Sequence, residues 1–185
     1  MKKIVLSILA FVMLISFVSC NDDEAPDGMK LASNKDIVAY SLFVPEEWTI
    51  DEQSAMTVAH VSSADKSSVS VMQWNLTSSL KSIDDWWTFH KQENTEAFPS
   101  LTVVEEGVEG IIDNRPSKSY TYTIEQTGLS TDGKELKTVY KFYVTAVIDQ
   151  GSIHIITYTS TDEMGLYDKN ITTVKDKILP NFKFN

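Results

Sequence analysis

Residues 137–148 alternate so that neither face of an extended chain is polar. Tyr140, Phe142, Val144, Ala146 and Ile148 fall on one side, and Val139, Tyr143 and Val147 on the other. Successive side chains of a strand point to opposite faces. A strand that is apolar on both faces must be covered on both, so this one belongs inside a sheet with other elements packed above and below it. A lone hairpin cannot satisfy that demand, and the rest of the chain has to supply neighbouring strands and covering elements.

The neighbours are legible. Residues 37–44 form an apolar run ended by Pro45, which has no N–H to give a ladder. Short strands are predicted at 48–50, 57–61 and 69–76. In the last of these Met72, Trp74 and Leu76 alternate with Val71, Gln73 and Asn75, and Trp48 and Trp74 are expected in the core. Residues 101–104 and 107–112 predict two further short strands. Asp113-Asn114-Arg115-Pro116 is a turn signal leading into the alternating Tyr120-Thr121-Tyr122-Thr123-Ile124. Thr131-Asp132-Gly133-Lys134 marks a hairpin tip, and Asp149-Gln150-Gly151 turns the chain into a strand over 152–160.

Two helices complete the pattern. Ser82 is a good N-cap, with Asp85 three residues on, and Asp84 and Asp85 suit the positive end of a helix dipole. Ile83, Trp87, His90, Asn94 and Ala97 recur at spacings of three and four, one inward stripe, with Trp86 at its margin and Pro99 as the stop. The last helix carries Met164, Tyr167, Ile171, Val174 and Ile178 on one stripe. Thr161 or Asp162 is its expected cap, Lys175 and Lys177 lie near its C-terminal end, and Pro180 is its stop. Phe182 and Phe184 then suggest a short closing strand. The sum is an α+β domain: an antiparallel β-sheet with two packed α-helices.

The N-terminus has a different logic. Lys2 and Lys3 precede a fifteen-residue apolar run over 4–18, short of the roughly 20 residues a transmembrane helix needs. Phe17-Val18-Ser19-Cys20 follows, and Cys20 is the one cysteine in the chain. A single cysteine in an exported protein has no disulfide partner within it. A charged, apolar leader ending at such a cysteine is a bacterial lipobox, so residues 1–19 are predicted to be a lipoprotein signal peptide and Cys20 the lipidation site. The acidic stretch that follows predicts a flexible tether over 20–35 and a single domain over 36–185. Loss of residues 1–19 takes Lys2 and Lys3 with it, leaving 14 bases against 26 acids over 166 residues, a net charge of −12. Nucleic-acid binding relies on clustered Lys and Arg, so that balance argues against it, as it does against flat adsorption on anionic lipid. The predicted location is the bacterial cell envelope, extracytoplasmic, with the membrane reached through the lipid on Cys20.

Several local strings resemble the PsbP-like family. Tyr40-Ser41-Leu42-Phe43-Val44-Pro45-Glu46-Glu47-Trp48 is similar to its opening strand, proline and tryptophan. Leu80-Lys81-Ser82-Ile83-Asp84-Asp85-Trp86 resembles the start of its first helix, and residues 111–122 its strand, tight turn, proline and second strand. The family often has glycine in that turn, where this chain has Asp113-Asn114; asparagine tolerates left-handed geometry. The likeness spans nearly all of residues 36–185. It implies the α+β fold and no shared catalytic site; understood members, among them the extrinsic photosystem protein and a Ran-binding import factor, act mainly by docking onto protein partners.

The chemistry-bearing residues are sparse. His60, His90 and His154 have no second His or Cys at metal-ligand spacing, so no metal and no cofactor is predicted. There is no Gly-x-Ser-x-Gly elbow and no phosphate-cradling glycine loop. The paired acids Glu46/Glu47, Asp51/Glu52, Asp84/Asp85, Glu105/Glu106 and Asp162/Glu163 fall mostly in turns and helix starts, where carboxylates serve solvation and capping. No catalytic residue is assigned. Trp86, Trp87 and His90 form the candidate ligand or partner surface: one tryptophan packs on the sheet, and for the other core packing is the preferred reading and partial exposure at an interface the alternative. The expectation is a non-enzymatic protein-binding or assembly domain. The alternatives are a solute or glycan pocket between sheet and first helix at these three residues, and a hydrolase built on His60 or His154.

Overall fold

The computed structural model describes residues 24–51, 56–61, 67–161 and 165–185. The leader, Cys20, the suggested cap Asp162 and the stripe residue Met164 lie outside them. In chain order the strands are β1 (Met29–Leu31), β2 (Tyr40–Ser41), β3 (Phe43–Pro45), β4 (Thr49–Ile50), β5 (Thr57–His60) and β6 (Ser68–Asn75). Helix α1 (Ile83–Ala97) follows, then β7 (Thr102–Ile112), β8 (Arg115–Leu129), β9 (Glu135–Asp149) and β10 (Ser152–Thr161). Helix α2 (Leu166–Thr173) and β11 (Lys183–Phe184) close the chain.

β4-β5-β6-β10-β9-β8-β7 form one seven-stranded antiparallel sheet. β9, the strand with two apolar faces, lies between β10 and β8 and is covered on both sides. Val144 and Ala146 point to the cluster under α1, with Trp86, Trp87, Tyr120, Tyr122, Ile153 and Ile155. Tyr143 and Val147 point the other way, to a cluster with Leu42, Trp48, Val71, Tyr158, Val174 and Phe182. The two helices therefore cover opposite faces. The second face is finished by two small two-stranded sheets, β1 with β3 and β2 with β11. Complete burial of one tryptophan removes about 200 Å² of surface, worth about 5 kcal/mol at 25 cal/mol per Å². Trp86 and Trp48 thus anchor the two clusters.

The local signals at the turns and at the start of α1 act as their chemistry dictates. The Asp85 N–H donates to Ser82 Oγ at 3.1 Å, and the Lys81 N–H donates to Asp85 Oδ2 at 2.9 Å, a reciprocal cap. Asp113 and Asn114 both have positive φ, 44° and 62°, as a two-residue hairpin matched to strand twist requires. Gln150 and Gly151 do the same between β9 and β10, at 44° and 79°.

Five expectations are corrected. The run over 37–44 is two strands, because Ser33 intervenes: its hydroxyl donates to the Tyr40 carbonyl and accepts from the Leu42 N–H, each at 3.0 Å. The ordered domain begins before residue 36. Met29 is buried in β1 and Ala25 packs on the α2-side cluster, so the stretch expected to be tether is largely part of the body. The two strands expected over 101–112 are one, bent by register shifts around Glu105 and Val108 with Gly107 at φ 70°. Thr161 belongs to β10 and does not cap α2, which starts after a left-handed Gly165 with no side-chain cap. Pro180 does not stop the final helix cleanly. α2 runs on through a wide turn, Val174–Ile178, and a tight one, Leu179–Asn181, that contains the proline. That continuation keeps Tyr167, Val174 and Ile178 buried on one stripe.

Candidate functional site

α1 crosses the sheet over β8, β9 and β10, and its inward arc is wide enough to bury both tryptophans. Trp86 is 1% exposed and Trp87 4%, so both pack in the core and neither reaches solvent. Trp87 stacks on Tyr120, ring centroids 4.2 Å apart and planes at 16°. Trp86 stacks on His90 at 4.8 Å, and Tyr122 on Phe142 at 4.8 Å. The rings fill the space between helix and sheet. Between α1 and the sheet, where the alternative reading places a solute pocket, these rings pack against one another.

Polar atoms around this stack are matched to one another. The Trp87 indole N–H donates to Glu106, and Lys91 Nζ donates to both Glu106 oxygens at 3.2 Å. These contacts, the indole first, hold the Glu106 carboxyl below its ordinary range. His90 Nε2 is hydrogen-bonded to the Tyr122 hydroxyl at 3.1 Å. Burial pushes the His90 imidazole down to about 4 and the Tyr122 phenol up. The Tyr120 hydroxyl is buried with no hydrogen-bond partner among the described residues. Burial, with the charges of Asp84 and Glu106, pushes it up to about 12. An open cleft of about 540 Å³ flanks α1 on its β7 side, lined in part by Trp87, Lys91, Thr95 and Glu106.

The other histidines are not brought to this site. His60 lies on β5. His154 is buried on the opposite face under the edges of Tyr40 and Phe184, its Nδ1 unpartnered among the described residues, and burial lowers its pKa. No group of three or more His, Cys, Asp or Glu side chains placed to hold a metal occurs among the described residues. Arg115 organises a separate cluster at the far end of β8. Its Nε donates to Asp149 Oδ1 at 2.7 Å, its guanidinium also to Asp113 Oδ2 at 2.8 Å, and it lies 4.4 Å from the Phe184 ring. The Phe184 N–H donates to the same Asp113 carboxylate, so this cluster pins the C-terminal strand.

Trp74 is a further correction. It is 38% exposed instead of buried, beside Met72 at 39% and Phe89 at 44%, with the Trp74 and Phe89 rings edge to face at 6.1 Å. Met72 and Trp74 point to the α1 face of the sheet, opposite Ile155 and Ile153 of β10, but α1 covers them only in part. The available signal was Phe89 itself, an aromatic residue on α1 that does not belong to the inward stripe.

No protein-family model matches the chain, and no curated protein matches it by sequence. Solved structures of similar fold include cyanobacterial PsbP, CyanoP, from Synechocystis. It shares 14% identity and a TM-score of 0.49 over 87% of this chain and 95% of that one. The Ran-binding protein Mog1p of Saccharomyces cerevisiae shares 14% identity and a TM-score of 0.48 over 83% of this chain and 85% of that one. LpqN, involved in cell envelope biogenesis of Mycobacterium tuberculosis, shares 10% identity and a TM-score of 0.41 over 88% and 81%. The α+β architecture read from the sequence is present in the structure itself, an antiparallel sheet with two packed helices.

Proposed function

We propose that this is a lipid-anchored, extracytoplasmic protein of the bacterial cell envelope whose domain works by binding a protein partner and not by catalysis. The observation that carries the reading is the Met72–Trp74–Phe89 corner: three large apolar side chains left in solvent beside an α1–sheet interface that is otherwise filled. Adjacent exposed aromatics mark interaction sites. The lipobox at Cys20 supports the location, since two or three acyl chains bury about 0.8 kcal/mol per CH₂ and anchor firmly. Ala25, near the start of the described residues, already packs on the body. Asp22, Asp23 and Glu24 are repelled by an anionic bilayer and hold the body off it.

Intact mass and membrane fractionation of the natively expressed protein, beside Cys20→Ala, test the anchoring. Wild type should carry the acyl mass and sediment with membrane while the variant is soluble or unprocessed. Release of both without lipid would make this a freely secreted binding protein.

A further inference from the structure

We propose that β11 is an acid-released latch and that His154 is its trigger: a proton taken up by the buried imidazole lifts Phe184 off the α2-side face of the sheet. This device lies on the face opposite Trp74 and Phe89 and does not depend on partner binding.

His154 is 2% exposed, and the groups packed around it are apolar or already committed. Its register neighbours are Val147 on β9 and Gln73 on β6, and the Gln73 amide donates to Ser152 at 3.1 Å. Tyr40 of β2 and Phe184 of β11 meet the ring in T-shaped contacts at 5.8 and 4.9 Å, and the Tyr40 hydroxyl is paired with Thr57 at 2.8 Å. Asp149 of β9 accepts from Arg115 of β8 at 2.7 Å, and Asp113 pairs with Lys183 of β11 at 3.6 Å. His154 Nδ1 has no partner among the described residues. A charged imidazole has two N–H groups to satisfy. Here Nδ1 finds no acceptor, and Arg115 opposes the attraction of Asp149. Burial dominates and holds the ring's pKa below 6.5.

Of the groups covering the ring, Phe184 is the one that can leave. β11 is two residues long and pairs with the equally short β2. Three polar contacts hold it, each at 3.0 Å: the Phe184 N–H donates to Asp113, the Asn185 N–H to the Ala39 carbonyl, and the Ser41 hydroxyl to Asn185 Oδ1. A segment held by so few contacts opens far more often than the whole domain does. Tyr40 stays, tied to Thr57 and stacked on Phe182 at 5.3 Å. Once Phe184 lifts, water reaches the imidazole, which in water takes a proton near pH 6.5. The charged ring then keeps the strand from reseating. The closed latch needs the neutral ring, so its stability is fully present above about pH 6.5 and is lost as the pH falls. Between pH 7.5 and 5.5 this raises the opening constant by at most about tenfold.

The test is residue-resolved amide exchange by NMR on the full chain at pH 7.5 and 5.5, each rate divided by the intrinsic rate of an unprotected amide at that pH. The opening constants of Phe184 and Asn185 should rise by about threefold to tenfold on acidification. Ile155 of β10 and Val144 of β9 open with the whole domain and should stay at least about a hundredfold better protected at both pH values. His154→Leu and His154→Gln should abolish the rise at Phe184 and Asn185. His90→Gln should keep it, since His90 lies on the α1 side and is not uncovered when β11 lifts. A smaller change in wild type, or an equal rise in the His154 variants, which would assign it to Asp113 and Asp149, would overturn the proposal. Equal protection of Phe184 and Val144 would do the same, because β11 would then open only with the domain. If neither His154 variant folds, the wild-type ring decides through its C–H chemical shift. It should titrate below pH 6.5, and titration at 6.5 or above would overturn the trigger.

Discussion

His90→Gln should flatten the pH dependence of folding stability between pH 7 and pH 5. The His90 ring lies against Trp86 and is hydrogen-bonded to the Tyr122 hydroxyl, and burial lowers its pKa in the folded protein from 6.5 to about 4. A base depressed in this way takes its proton first in the unfolded chain. Its contribution is fully present above about pH 6.5 and is lost as the pH falls toward 4. Linkage over that window gives about 2 kcal/mol lost between pH 7 and pH 5, and solvent at the ring's outer edge trims this to about 1–2 kcal/mol. His154, also lowered by burial, acts in the same direction in both proteins and cancels in the comparison. The assay is urea unfolding followed by tryptophan fluorescence, for wild type and variant at both pH values. The glutamine keeps a hydrogen-bonding group near Tyr122 but loses the ring, so a constant offset of about 1 kcal/mol is expected at either pH. The reasoning fails if the variant loses as much stability on acidification as wild type does.

Trp86→Ala, which empties the centre of the α1-side cluster, should cost about 3–5 kcal/mol in chemical denaturation, whereas an unchanged midpoint would mean that α1 is not seated on the sheet through this ring. Ser82→Ala removes the N-cap acceptor and should cost about 1 kcal/mol, with faster amide exchange confined to the first turn of α1. Arg115→Met breaks the links to Asp113 and Asp149 and should lower stability by about 1–2 kcal/mol; its distinguishing mark is early exchange at Phe184 and Asn185, and protection there would contradict the clamp.

Local chemistry carried most of the fold. The two apolar faces of residues 137–148 required a covered central strand, and β9 is one. Ser82 with Asp85, and Asp113 with Asn114, each act through neighbours within a few residues, so their roles are written in the chain itself. The misreadings at residues 37–44 and at the tryptophans depend on distant partners. Residues 37–44 break into two strands because Ser33 and the C-terminal β11 compete for their backbone groups, which local propensity does not register. Trp74 alternates as a core residue should, but its exposure is decided by where α1 crosses the sheet. The burial of both Trp86 and Trp87 reflects the breadth of α1's contact arc, a tertiary quantity that a stripe at three and four spacing underestimates. Phe89 was legible as an aromatic residue off that stripe, and its significance emerges only when Trp74 and Met72 are placed beside it.

Partner binding at the envelope is tested most directly by quantitative recovery from formaldehyde-crosslinked native envelopes, comparing wild type, Cys20→Ala and the combined Trp74→Ser and Phe89→Ser chain. One protein should be recovered reproducibly with wild type at near-stoichiometric yield, and lost both when the anchor is removed and when the exposed aromatic pair is deleted. Recovery of nothing above the untagged control from wild type would contradict the account.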